Sequence, residues 1–448
     1  MRYWSASRLA DLWDEVRNSY WLLPAVMVIG AIGLAVGMSY VDLIVPEASG
    51  GNGNWATALQ AGAARTILAT VAGSMATIVG VVFSITIVAL QLASSQFGPH
   101  VLRSFLTDRG SQAALGALLG SFTYSLLIIV VVRNGGGFVP YASTYAGILI
   151  GLVAIGMLIY FINHVAKLIS AERVIASLAK GVARATEQVF PDQLGEDEPG
   201  EQQDVPTVPS EFAARSCDVL ADYGGYIRRI DDASLLHLAC KHDLLIRLDV
   251  RPGDFVVHGA LLMAAAPAER MDASTVRYLR QTVLLGYQRT PEQDVAFALQ
   301  HLEEVAIRSL SPGINAPFSA IPAIDQIAAG LAQLAARRMP SSFRRDEDGK
   351  LRILVMRPQR FAELVQNTLG PIASAATAHA EVMAHVVEAV LLVVQRAAAE
   401  EDRAVLRAFA EGLVQEGLAG VASERERAVL RGAAERAGAN AARSGRVA

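Results

Sequence analysis

The residues best placed to do chemistry lie on one long uncharged stretch. Thr66, Thr70, Gly73, Thr77, Gly80, Ser84, Gln91 and Ser95 recur at steps of three, four or seven. The heptad of Thr70, Thr77, Ser84 and Gln91 would keep facing one neighbour or one axis along a helix. Beside it runs an apolar stripe of Ile67, Val71, Ile78, Val82, Ile85 and Leu92. Two chemistries fit such a stripe. Small residues let helix backbones approach, and hydroxyls bond across them. Alternatively, neutral hydroxyls and an amide suit weak, multi-site contact with an ion or water in a path through a symmetric oligomer.

A second group of polar residues lies further along. Arg289, Asp294 and Arg308 flank Ser311, Pro312, Gly313, Asn315 and Pro317. The Ser311–Pro317 segment reads as a joint between two helices. Asn315 would cap the second, and Pro317 would sit in its first turn. Arg308 comes near a helix C-terminus, where the dipole favours a cation. With Arg289 and Asp294 nearby, the expectation is a charge network, a subunit contact or a small-ligand site rather than catalysis.

The histidines offer little for metal. His237 and His242 are five apart, poor for one helix face. Glu381, His385 and Glu388 fall at i, i+4 and i+7 but find no second set at metal-ligand spacing, although Glu303 and Glu304 lie close to His301. No phosphate-binding glycine loop, zincin motif or nucleophile elbow occurs, and Gly135-Gly136-Gly137 follows no strand. The expectation is therefore no cofactor, no metal and no enzyme. An enzyme would need a deep pocket with convergent polar groups.

The elements that must position these residues follow from charge. The 448 residues carry 39 Lys/Arg and 43 Asp/Glu, net −4, and 18% are charged, against about 25% in soluble proteins. Mean hydropathy is +0.35. Residues 1–190 hold 11 basic and 8 acidic residues, leaving 28 and 35 for the rest. The first part is membrane-like and the second resembles ordinary soluble protein. No part has the basic excess of a nucleic-acid binder.

Trp21–Val41, Thr66–Pro99, Ser111–Val132 and Asn134–Asn163 contain no charged residue and are long enough to span. The last is read as helical from about Tyr145. Thr66–Phe97 is about 48 Å long as a helix, more than the roughly 30 Å hydrocarbon core. Ahead of the first span, residues 1–20 read as an interfacial amphipathic helix, with Leu9, Leu12, Trp13, Val16 and Tyr20 on one face. Nine Lys/Arg flank one side of the spans and only Arg65 and Arg133 the other. Positive-inside then places both termini in the cytoplasm, with Cys217 and Cys240 as reduced thiols. No ionisable group sits at mid-membrane, where proton-coupled transporters and voltage sensors place them.

The remaining chain divides by composition. The transmembrane domain with its helical extension covers 21–190. An acidic linker of seven carboxylates covers 191–211. Residues 212–267 read as a small β-barrel-like unit, with strands at Tyr226–Arg229, Leu244–Val250 and Asp254–Val257 around an Arg251-Pro252-Gly253-Asp254 turn. That hairpin is similar in shape to those of biotinyl/lipoyl barrels, without their attachment lysine. Residues 268–438 read as mainly helical: Thr275–Leu285, Glu292–Leu310 with Thr290 as cap, Ala316–Arg338, a strand at Lys350–Met356, two helices in Arg360–Arg396 broken near Gly370-Pro371, then Asp402–Glu416 and Ser423–Ala437. Gly417 and Gly438 read as C-cap glycines, and 439–448 as a flexible tail.

The stretch Ser311-Pro-Gly-Ile-Asn-Ala-Pro-Phe-Ser-Ala320 resembles that of a family of bacterial membrane proteins catalogued as domain of unknown function 2254. Supporting matches are Gly225-Tyr226 with Ile230-Asp231, Pro252-Gly253-Asp254-Phe255-Val256, and Arg289-Thr290 with Gln293-Asp294. The resemblance covers nearly the whole chain. It implies four spans followed by a cytoplasmic region, and no activity. The family usually has Asp after the Asn, where this chain has Ala316.

Together these readings give an inner-membrane protein of four helices with a cytoplasmic α+β domain, helix-rich at its C-terminal end. Its expected partners are the lipid bilayer, copies of itself, and ions or a small ligand. The expected role is a channel-like or pore-forming homo-oligomer with a gating or sensing domain; the rival is a membrane-anchored scaffold or sensor.

Overall fold

The computed structural model describes residues 19–44, 60–98, 108–132, 140–168, 170–189, 208–337, 339–421 and 423–444. The interfacial helix expected over 1–20 and most of the acidic linker lie outside these residues. The chain forms two compact units, Met1–Val174 and Ile175–Ala448.

Among its described residues, the first unit has four helices long and apolar enough to cross a membrane: α1 Leu22–Ile44, α2 Ala61–Phe97, α3 Arg109–Val131 and α4 Tyr141–Leu168. The third is the hub and packs against the other three. Small residues permit this: Gly116 lies against Met27 of α1 and Gly147 of α4 against Leu68 of α2. Among the described residues of this unit, carboxylates sit only at helix ends. Asp42, late in α1, accepts the Ala142 and Ser143 amides at 2.9 and 3.0 Å and so caps α4. Asp108 caps α3 through the Ser111 amide at 2.7 Å and meets His164 Nε2 at 2.8 Å. Large apolar side chains such as Ile29, Val36, Val130 and Ile159 cover the outside, a surface suited to lipid.

In the second unit, α5 (Ala171–Val189) does not follow the boundary expected near Pro191. Val182 packs on Gly330 and the Thr186 carbonyl accepts from Arg337, which ties its later turns to this unit. Next come α6 (Phe212–Arg215), β1 (Cys217–Leu220), β2 (Gly225–Ile230), α7 (Asp232–Lys241), β3 (Leu245–Leu248), β4 (Phe255–Val256), β5 (Leu261–Ala266), α8 (Ala273–Gln281) and β6 (Val283–Gly286). Then α9 (Val295–Leu310), α10 (Pro317–Ala335), β7 (Phe343–Arg345), β8 (Leu351–Val355), α11 (Phe361–Ala375), α12 (Ala380–Arg396), α13 (Glu400–Gly420) and α14 (Glu424–Ser444) complete it.

The expected barrel is not there. The strands form two open sheets, ordered β1-β5-β3-β8-β7 and β4-β2-β6. Strands β3 and β4 flank the Arg251–Asp254 turn but never pair with each other. Instead β4 pairs with β2, and β3 pairs with β5 and, in parallel, with β8. Ile246 and Leu248 are buried from one side of β3, and the late strand β8 supplies Ile353 to the same core.

Several element ends also differ from the sequence reading. Val283-Leu284-Leu285 leaves the expected helix to pair with β2, as suits a β-branched and apolar run. The helix break expected near Gly370-Pro371 falls later, between α11 and α12, and Pro371 lies inside α11. Helices α13 and α14 run through Gly417 and Gly438, so neither glycine ends its helix. Residues 439–444 are helical rather than tail.

Candidate functional site

The uncharged stripe takes up one side of α2, a helix of 37 residues and about 55 Å. Its inward side is Ala64, Leu68, Ala72, Met75, Val82 and Thr86, all buried. All eight stripe residues, from Thr66 to Ser95, are exposed. Counted at about 100° per residue, they lie within roughly 80° of one another, opposite the buried set. Among the described residues, the stripe therefore lies outside the buried core of the four-helix unit. A Cβ added at Gly73 or Gly80 would meet nothing within 4 Å. The hydroxyls of Thr66, Thr70 and Thr77 donate to the carbonyls four residues back, at 2.8, 2.8 and 3.1 Å. This satisfies each donor within the helix and leaves hydroxyl oxygens outward as weak acceptors.

In the second unit, motif fragments far apart in the chain meet. The Gln293 side chain accepts from the Ile230 amide at 2.8 Å and donates to its carbonyl at 3.1 Å, as a neighbouring strand would. The Gly253 amide donates to the Ile227 carbonyl at 2.8 Å. Gly253 has φ +93°, and a Cβ there would collide with the Asp294 carboxylate; only glycine fits both demands. Asp294, almost fully buried, accepts from Arg289 Nε at 2.6 Å and from the Phe297 amide at 3.0 Å. It, and not Thr290, caps α9. The Arg289 guanidinium stacks over the Phe297 ring, 4.8 Å from its centroid, and reaches Gln300 at 3.3 Å.

Arg308 is not part of that cluster. It pairs with Glu304 at 2.8 Å, at the other end of α9, about 20 Å along the helix from Asp294. Around it the Ser311–Pro317 joint is exposed over Pro312 to Asn315. The Ser311 hydroxyl donates to the Arg308 carbonyl at 2.6 Å. Asn315 turns the chain with φ +46° and does not cap α10. Ala316 holds the N-cap position, without a side-chain hydrogen bond, and Pro317 follows at the helix start. Of the histidines singled out, His385 meets Asp325 at 2.7 Å rather than a cluster with Glu381.

Sequence reasoning missed a cleft of about 260 Å³ between α9 and α11, beside the Arg251 turn. From α9 it takes Gln300 and Glu303, from α11 Glu363 and Asn367, with Arg360 just ahead of that helix. The signal was present as polar residues at helical spacing on two separate helices, but nothing local pairs the two faces. Burial, and then the neighbouring Glu304, push the Glu303 carboxyl up to about 7.

The model of the family described as predicted membrane protein (DUF2254) matches residues 17–391. The chain belongs to this family. Among DUF2254 relatives, the uncharacterized proteins Mb1321c of Mycobacterium bovis and Rv1290c of Mycobacterium tuberculosis are each 31% identical over 360 residues. The match covers 77% of this chain and 66% of theirs, so the chain spans just under two thirds of these relatives' length. No solved structure matches. The DUF2254 match takes in all four candidate spans, the Arg289–Asp294 cluster and the Ser311–Pro317 joint.

Proposed function

We propose that the protein is a homo-oligomeric, channel-like protein of the bacterial inner membrane, in which α2 of each copy turns its polar stripe toward a shared axis. The observation that carries this reading is the position of the stripe, opposite the face that α2 uses in its own bundle. A row of hydroxyls, glycines and one amide is poorly matched to lipid tails. A neighbouring copy or a water-filled path would match it. The asymmetry of Lys/Arg around the spans orients both termini and the second unit to the cytoplasm, where that unit would gate or sense. The reading involves no catalysis.

Single-channel recording of purified protein in planar bilayers, across tension and voltage, tests this. Conductance that changes in Ser84→Val and Gln91→Ala variants is the expected result. A silent wild type under all conditions sinks the pore. The internally satisfied threonines also fit a scaffold whose stripes only pack together. Cysteine cross-linking at Thr77→Cys and Ser84→Cys should trap oligomers in both cases, so oligomers without conductance would select the scaffold.

A further inference from the structure

We propose that the cleft between α9 and α11 binds a small zwitterion of amino-acid size, its ammonium held by Glu303 and its carboxylate by Arg360. The inference stands apart from the pore reading, because binding is measurable whether or not the protein conducts.

Several polar groups around the cleft are already committed. Arg251 lies 3.7 Å from Asp254, which also receives Arg357 at 2.7 Å. The Gln300 carbonyl oxygen is taken by Arg289, which leaves its amide donors to the cleft. Glu304 is paired with Arg308. By contrast, the side chains of Glu303, Arg360, Glu363 and Asn367 have no hydrogen-bond or ion-pair partner among the described residues. The cleft thus offers a free carboxylate from the α9 wall and a free guanidinium from the α11 side, which do not pair with each other. Glu363 adds a second carboxylate and Asn367 an amide.

A half-buried carboxylate without a partner costs free energy unless it takes a proton or a cation. The raised Glu303 carboxyl shows that cost. A bare anion would satisfy Arg360 and repel Glu303, and a bare cation would do the reverse. One molecule carrying both charges satisfies both walls, and Arg recognises a carboxylate in bidentate fashion. The size of the cleft suits a single amino acid or a compound of similar bulk.

Thermal unfolding and titration calorimetry of the full chain in detergent test this, with each of the twenty protein amino acids as the probe and their N-acetyl and amide forms as controls. At least one free amino acid should raise Tm saturably. Blocking either charged end should weaken its binding at least tenfold. Glu303→Gln and Arg360→Gln should each do the same; Arg360 is exposed, so its variant folds even if Glu303→Gln does not. The proposal is overturned if no amino acid binds, if blocked forms bind as well as free ones, or if Arg360→Gln binds normally. Phosphate or chloride alone raising Tm, in a way that needs Arg360 and not Glu303, would also overturn it in favour of an anion site.

Discussion

Ala316 illustrates what one side chain can withhold. It occupies the N-cap of α10 with a side chain that can accept no backbone amide, where Asp would accept one from the first turn. Ala316→Asp is expected to stabilise the protein by about 1 kcal/mol, measured as a rise in denaturation midpoint. An unchanged or lower midpoint would mean that the joint is held by its backbone turns alone. Gly253 is the opposite case: the site has room for no side chain at all. Gly253→Ala combines a left-handed φ with a clash against Asp294, and should cost about 2 kcal/mol or more. Glu303 gives a pH signature. Its folded carboxyl titrates near 7 against an ordinary 4.5, so the folded state holds the proton more tightly. Stability therefore falls as pH rises from about 4.5 to about 7. Glu303→Gln should raise Tm relative to wild type at pH 8 and have little effect at pH 4. Equal shifts at both pH values would exclude a buried, titrating carboxyl.

At the scale of elements, the outward side of α2 and the α4 face packed on its inward side should respond differently to bulk. Gly80→Leu adds volume where nothing lies within 4 Å, whereas Gly147→Leu drives side-chain atoms into Leu68 and Tyr124. The first should leave helicity and Tm nearly intact in detergent and change the oligomer mass found by light scattering. The second should lower Tm through overpacking, by about 1–3 kcal/mol. Elsewhere, Asp243 gathers Arg270 and, from around the start of β8, Lys350 and Arg352. Those side chains hold its carboxyl well below the usual carboxylate range. A depressed carboxylate contributes stability above its unfolded pKa and loses it on acidification. Asp243→Asn should therefore lower Tm at pH 7, and the difference from wild type should shrink as pH falls below about 4.

At the scale of the whole molecule, the four candidate spans were legible because the length and apolarity that a membrane span needs are local properties. An uncharged run of about 20 residues is enough, and the four helices fall where those runs are. The periodic stripe was legible for the same reason. The capping of α9 was misread because Thr290-Pro291 and Asp294 both carry start signals, and only the Arg289 and Gly253 contacts favour Asp294. The sheets were not legible. Val355 pairs with Leu248 in parallel across more than a hundred residues, and strand periodicity fixes which face is apolar without fixing which strand is its neighbour. The cleft was hidden likewise, since each wall looks like an ordinary solvated helix face until α9 and α11 are set side by side.

The sequence by itself therefore determined the division into a membrane part and a second part, the four spans and the periodicity of α2, all of which depend on neighbours within a few turns. Tertiary structure alone decided that the stripe faces away from its own bundle, that three distant motif fragments close around Asp294, and that Glu303 and Arg360 share a cleft. Those outcomes depend on pairings between distant segments, which are chosen by the burial of whole faces rather than by local propensity.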